Sequence, residues 1–397
     1  MTTPEQRSDA LRDLQNLKMA RSAHAYVRGS TLQFYEWLDA SHTHIPVGPG
    51  VWICGDCHIG NLGPIADGRG RVAVQIRDLD QTVIGNPSHD LIRLALSLAS
   101  AARGSDLPGV TTAYILESLM TGYETAMDGE FGVEEEKQSR PKSIRSLLDR
   151  SVRRRWRHLA EERLDGVEPT VPLGKKFWAL TGDERAQLAG LFKKDDVRTI
   201  LSDDGGNSEI SFVDAAYWVK GCSSLGRLRF AALLRARNGT SSALKLVDLK
   251  EAVAAAAPRM PNAHMPTDGA ERVVSGARAL SPSLGRRMTA ATLLGKPIVL
   301  RELMPQDLKL EVASLTMEKA TALASYLAGV VGKAHGRQMT SEERLAWKRE
   351  LAKARTGALD APSWLWRSVV DLLGIHERSY LDHCRTHALA MSVGGKR

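Results

Sequence analysis

Cysteine is scarce in this chain. There are four in 397 residues, Cys54, Cys57, Cys222 and Cys384, and four at this length do not make a disulfide framework. No uninterrupted apolar stretch approaches the roughly 20 residues that a membrane helix needs, so no span is expected. The opening residues, MTTPEQRSDALRDLQ, lack the basic-then-apolar layout of a secretory signal. These absences together predict a cytoplasmic protein with reduced thiols.

What is present is ordinary for a globular chain large enough for two lobes, 43% hydrophobic and 25% charged. The formal net charge of +8 suits phosphate-bearing ligands, nucleic acid or an acidic membrane surface alike. Charge alone does not choose among them.

The chemistry concentrates between Val51 and Arg93. An apolar run, Val51 to Ile53, ends in Gly55-Asp56, and Asn61 follows five residues after the aspartate. A second apolar run, Val72 to Ile76, ends in Asp78-Leu79-Asp80. Two strands that each close on a carboxylate, one with a nearby amide, supply the hard oxygen ligands that Mg²⁺ requires while leaving positions for phosphate. Asn61, Asp78 and Asp80 are the candidate metal ligands. Asp56 is the candidate base that accepts a proton from an attacking hydroxyl. Asp90 opens the helix LIRLALSLASAAR, where its carboxylate can accept backbone N–H groups of the Asp56 loop; its expected role is architectural.

These motifs carry a resemblance. Gly55 to Asn61 (GDCHIGN) resembles the G-D-x-H-x-x-N loop of aminoglycoside and choline kinase-like phosphotransferases. Arg77-Asp78-Leu79-Asp80 resembles their I-D-[FW]-[DE], and Gly85 to Leu91 their G-x-P-x-x-D-L. The whole chain from about Met19 resembles the bacterial domain of unknown function 2252 family. Met19-Ala20-Arg21-Ser22 through Arg28-Gly29, the two Asp loops and Lys250-Glu251-Ala252 match its recurring patterns. The resemblance implies that His58 braces the loop and that Arg28 reaches toward a phosphate site, against the plainer reading of Arg28 as a surface residue on an amphipathic helix.

A second block starts near Phe212. Asp214 to Lys220 alternates as a strand, Gly221 to Gly226 is a small-residue turn, and Leu228 to Leu234 resumes as a strand. Asn238-Gly239 is a hairpin signal, after which Ala243 to Leu249 forms a third strand ending in Lys250. Backbone N–H groups of a glycine- and serine-rich tip (Gly221, Ser223, Ser224, Gly226) can approach phosphates, and a strand-borne lysine can pair with them. The kinase-like resemblance implies a carboxylate partner for Lys250 on the following helix, for which Glu271 is the candidate; the adjacent Glu251 points to the other face of its strand. Pro297 to Leu303 reads as a strand leading to a hinge at Met304 to Asp307, with Arg301 either a phosphate contact or a salt-bridged strand residue. Thr316 to Gln338 is a helix, and Trp364 and Trp366 are candidate core anchors.

Two features compete with this picture. Cys54 and Cys57 form a C-x-x-C, but a second ligand pair for zinc is not evident in the sequence. Residues 137 to 158, with Arg153-Arg154-Arg155-Trp156-Arg157, could hold nucleic acid by phosphate contact and stacking; a solvated helix face is the commoner explanation.

The sequence therefore predicts an α+β chain with a kinase-like two-lobe fold. Residues 1–210 form a helical part with the catalytic and metal loops, 211–312 an antiparallel sheet, and 313–397 helices completing the first part. The glycine turn and lysine follow the catalytic loop instead of preceding it, which implies circular permutation. The expected activity is ATP- and Mg²⁺-dependent phosphoryl transfer to a hydroxyl acceptor. A nucleotide-binding module without transfer, or an AMP-transferring enzyme, is the alternative, and a nucleic-acid-associated protein a third.

Overall fold

The computed structural model of the chain describes residues 4–127, 140–154, 170–201, 208–221, 225–239, 241–308, 310, 315–353 and 361–388. The chain opens with α1 (Pro4–Met19), α2 (Ala23–Gly29) and α3 (Thr31–Ala40). The sequence pattern over residues 5 to 40 predicts two helices, and serine side chains account for the extra break. Ser22 Oγ caps α2 by accepting the Ala25 N–H at 3.1 Å, and Ser30 Oγ donates to the Val27 carbonyl at 3.1 Å.

Four short strands follow: β1 (Val51–Ile53), β2 (Leu62–Ala66), β3 (Val72–Ile76) and β4 (Val83–Gly85). β1 pairs with β4 and β2 with β3, both antiparallel. This nesting sets the loop after β1 beside the loop after β3. Next comes α4 (Ser88–Arg103), buried on nearly every side as a core helix must be. α5 (Val110–Met127) and α6 (Lys142–Arg153) complete this part.

The sheet comprises β5 (Phe177–Trp178), β6 (Glu209–Trp218), β7 (Arg229–Asn238), β8 (Ser241–Glu251), β9 (Met288–Leu293) and β10 (Lys296–Leu303). α7 (Gly182–Leu191) and α8 (Asp195–Leu201) lie between β5 and β6, and α9 (Gly269–Leu280) and α10 (Pro282–Gly285) between β8 and β9. The spatial order is β5-β6-β7-β8-β10-β9. Every pairing is antiparallel. The two-residue period of the strands sorts their side chains. Phe230, Ala232, Val247, Leu249, Ile298 and Leu300 are buried on one face with Leu188 of α7 and Val197 of α8. The other face carries a small apolar cluster with Ala231, Leu233 and Leu246, and beyond it a charged region. Arg229 and Val299 lie directly across from Lys250, and Arg301 lies across from Asp248.

The chain closes with α11 (Met317–Gly336), α12 (Ser341–Ala352) and α13 (Ser363–His383). α11 packs tightly against α5. A Cβ on Gly122 would stand 2.0 Å from the Ser325 carbonyl oxygen, so only glycine allows that approach. The largest core joins α4, α5, α11 and α13 to the short strands, with Trp364 inside it and Trp366 packed at its edge. The fold is mixed α+β. Among the described residues no helix is long and apolar enough to cross a membrane.

Candidate functional site

The Asp56 loop is held from below. Gly55 turns it with φ +74°, and a Cβ there would meet the Gln81 carbonyl at 2.1 Å. The carboxylate of Asp90 accepts the Cys54 N–H at 2.7 Å and the Gly55 N–H at 2.9 Å, the architectural role its position predicts. Tyr35 Oη donates to the Gly55 carbonyl at 2.6 Å. Behind Asp90 stands a buried chain of donors. Trp347 Nε1 donates to Tyr123 Oη at 3.1 Å, Tyr123 Oη lies 3.0 Å from His335 Nδ1, and His335 Nε2 lies 3.2 Å from Asp90 Oδ2. One assignment satisfies every member: the tyrosine hydroxyl donates to Nδ1, and a neutral imidazole donates from Nε2.

Asp56 itself is 8% exposed and bound to a second buried charge. Arg93 Nε donates to Asp56 Oδ1 at 2.8 Å, and Arg93 Nη2 donates to the Val27 carbonyl. His58 Nε2 lies 3.8 Å from Asp56 Oδ2. Burial pushes the Asp56 carboxyl up against the opposing pull of Arg93, and Asp78 adds to the rise. Asn61 Nδ2 donates to the Asp56 carbonyl at 2.9 Å, which leaves its side-chain oxygen as an acceptor. The Arg77 N–H donates to the Asn61 carbonyl at 2.7 Å and so ties the two loops together.

From the sheet, Lys250 reaches the second loop. Its ammonium lies 3.4 Å from Asp78 Oδ1 and 3.5 Å from Oδ2, and it also contacts Asp80 Oδ2. Asp78 keeps 46% of its side chain exposed to the cleft. Enclosure pushes its carboxyl up, but Lys250 and Arg229 outweigh that and hold it well below the usual carboxylate range. Asp80 shifts the other way, raised by burial and by the charge of Asp78. Two carboxylates therefore share one ammonium.

Around them the cleft face is a lattice of charge. Arg229 grips Asp248 with two hydrogen bonds, Nε to Oδ1 at 2.9 Å and Nη2 to Oδ2 at 2.5 Å. Burial opposes ionisation of Asp248, yet Arg229 lowers its carboxyl to about 2. Arg301 is salt-bridged: Nη2 lies 3.1 Å from Asp307 Oδ2, and Nη1 donates to the Arg77 carbonyl at 2.9 Å. Asp307 is gripped again by Arg287 at 3.0 Å. Burial, with Arg301 close by, pushes the Arg77 guanidinium down to about 10.

Glu271 requires a correction. It is exposed in the first turn of α9 and makes no pair with Lys250, whose ion pairs are with Asp78 and Asp80. The neighbouring Arg272 points inward instead. Its Nη2 donates to the carbonyls of Asp80 and Val253, both at 2.9 Å, and Nη1 donates to that of Thr82. α9 thus supplies a cation to the loop backbone and no carboxylate to the lysine. Glu251 faces away from the cleft, as the strand period predicts, and pairs with Lys296 at 2.8 Å.

Gly221 and Gly226 take φ of +98° and +94° at the turn between β6 and β7, with Lys18 Nζ donating to the Gly221 carbonyl at 2.9 Å. Ser223 and Ser224 lie outside the described residues. Arg28 belongs to α2, and its side chain lies outside what is described. Of the basic segment, 140–154 is described: Ile144, Leu147 and Leu148 of α6 are buried while Lys142, Arg145 and Arg153 face solvent. Arg154 Nε donates to the Pro305 carbonyl at 2.7 Å, so the segment docks on the residues after β10. The ligand atoms of Cys54, Cys57 and Asp90 lie within 4.8 Å of one another. Asp90 is already committed to two backbone N–H groups and His335, and contact with Cys57 and burial push the Cys54 thiol well up. The group therefore reads as packing.

Fold and site together describe an α+β protein with a charged cleft, in which loops from the N-terminal third meet a lysine-bearing sheet. A family model described as "Uncharacterized protein conserved in bacteria (DUF2252)" matches residues 7–386, and the chain belongs to that family. No curated protein and no solved structure matches it.

Proposed function

We propose that the chain is an ATP- and Mg²⁺-dependent phosphotransferase acting on a hydroxyl acceptor, with a kinase-like two-lobe fold in permuted order. The observation that carries this reading is the meeting of Lys250 with Asp78 and Asp80, residues 172 positions apart in the first pair, with the Asp56 loop alongside. The sheet supports it. The order β6-β7-β8-β10-β9, a glycine turn between the first two strands, a lysine on the third and a helix before the last two are what the kinase-like reading expects of a small lobe. That plan is an analogy of fold, and the function rests on the side chains.

The donor set fits the implied metal. Asp78, Asp80 and the Asn61 side chain offer hard oxygens, and the two carboxylates share a single ammonium, that of Lys250. Those oxygens would hold Mg²⁺, which would neutralise phosphate charge on ATP, the phosphoryl donor. The protein's part is positioning. Asp56 accepts the acceptor's proton at Oδ2, because Oδ1 is committed to Arg93. Asn61 fixes the loop through the Asp56 carbonyl, while Asp90 and His335 hold its backbone. Lys250 presents its ammonium for phosphate, and Gly221 and Gly226 stand between β6 and β7.

The Asp56–Arg93 pair favours a second reading, nucleotide binding without transfer, since the guanidinium already occupies Asp56 Oδ1. Turnover separates the two. With ATP and Mg²⁺, and water standing in for the acceptor hydroxyl, the first reading predicts slow release of ADP and phosphate that Asp56→Asn removes while ATP affinity stays within about twofold. Binding with no ADP release from the wild type supports the second. Release of pyrophosphate in place of ADP means AMP transfer and overturns the phosphoryl assignment.

A further inference from the structure

Lys250 has no carboxylate of its own. Glu271 is exposed on α9, and among the described residues the ion pairs of Lys250 are with Asp78 and Asp80. Its ammonium lies 3.4 Å from Asp78 Oδ1 and 3.5 Å from Oδ2, and it contacts Asp80 Oδ2. These are the same carboxylates that would ligate Mg²⁺. The lysine side chain, reaching in from β8, is 13% exposed, whereas that of Asp78 is 46% exposed. The carboxylates are thus covered from the sheet and open to the cleft. The neighbouring guanidinium groups are engaged differently. Arg229 grips Asp248, and Arg272 bonds the backbone carbonyl of Asp80.

An ammonium and a divalent cation compete for such oxygens. Mg²⁺ requires direct carboxylate contact, and two cations on the same pair of carboxylates repel each other. Phosphate removes the conflict, because its anionic oxygens offer the ammonium another partner. We propose that Lys250 is a built-in counterion that occupies the metal seat until nucleotide phosphate draws it away. Metal alone then binds weakly, and metal and nucleotide bind together, each raising the affinity for the other by the same factor. The inference rests on the phosphotransferase reading of this cleft. Lys250 favours the nucleotide and opposes the bare metal, so its removal should move the two affinities in opposite directions. A merely structural lysine would not do this.

Calorimetric titration of the full chain with Mn²⁺, which takes the same oxygen ligands as Mg²⁺, tests this in the absence of nucleotide. Lys250→Met is expected to bind Mn²⁺ at least about tenfold more tightly than the wild type. Its affinity for Mg²⁺-ATP is expected to fall at least about tenfold. Lys250→Gln, which keeps an N–H donor for the carboxylates, should shift the same way and serves where Lys250→Met fails to fold. Adding Asp78→Ala to either variant should abolish the gain. Unchanged or weaker Mn²⁺ affinity in both variants, a gain that survives Asp78→Ala, or no Mn²⁺ binding at all overturns the inference alone. Failure of the wild type to bind Mg²⁺-ATP overturns the phosphotransferase reading as well.

Discussion

Arg93 and Asp56 form an ion pair at 2.8 Å with almost no water around it, Arg93 being 0% and Asp56 8% exposed. A buried pair of this kind adds little net stability over an apolar substitute, but losing one partner strands a charge, at a cost of about 3–5 kcal/mol. Arg93→Met is therefore expected to lower unfolding stability in urea by that order at pH 7. The double change Asp56→Asn with Arg93→Met should recover part of the loss. A single substitution without effect would show that the charges are not interdependent.

The loop support makes a different prediction. Tyr123→Phe takes the partner from both Trp347 Nε1 and His335 Nδ1, and unmatched buried groups cost about 1–3 kcal/mol. The change should travel to Asp90 and speed amide exchange at Cys54 and Gly55 more than in the sheet. Uniform acceleration across the chain would mean that the relay only stabilises the fold.

Two buried histidines set a pH response. Burial pushes the imidazole of His89 down to about 4, and burial with Arg93 nearby pushes that of His376 down to about 3. The unfolded chain titrates near pH 6.5 and binds more protons below it, so this contribution is complete above about 6.5 and is lost as pH falls toward 4. Each histidine adds a slope of about 1.4 kcal/mol per pH unit in that window. His89→Gln with His376→Gln should flatten the fall in stability measured by urea unfolding between pH 6.5 and 4; an unchanged slope contradicts the assignment.

Gly122 and Gly329 sit on the same helix pair with different room. A Cβ at Gly122 meets the Ser325 carbonyl at 2.0 Å, whereas at Gly329 the nearest atom is the Gly122 carbonyl at 3.4 Å. Gly122→Ala should cost about 1–3 kcal/mol by forcing the helices apart, and Gly329→Ala close to nothing. Similar melting temperatures for both would contradict the packing described.

Local chemistry was the readable part of this sequence. The alternation around Lys250, the Asn238-Gly239 turn and the position of Asp90 each depend on near neighbours, and the structure places them as their patterns predict. Arg93 left one signal, a charge within the otherwise apolar face of LIRLALSLASAAR. His335 left less. It meets Asp90 across 245 residues, and no local pattern reports a contact of that range. Glu271 failed for a related reason. Helix periodicity assigns α9 a buried face, but which of Glu271 and Arg272 enters it depends on where the strands deliver the helix.

The central claim is that Lys250, Asp78 and Asp80 form the seat of a metal–nucleotide. Calorimetric titration of ATP, with and without Mg²⁺, into wild type and Asp78→Ala tests it most directly. The account predicts binding that requires Mg²⁺ and weakens at least about tenfold in the variant. ATP binding with equal affinity in both proteins, or no binding in either, would contradict it.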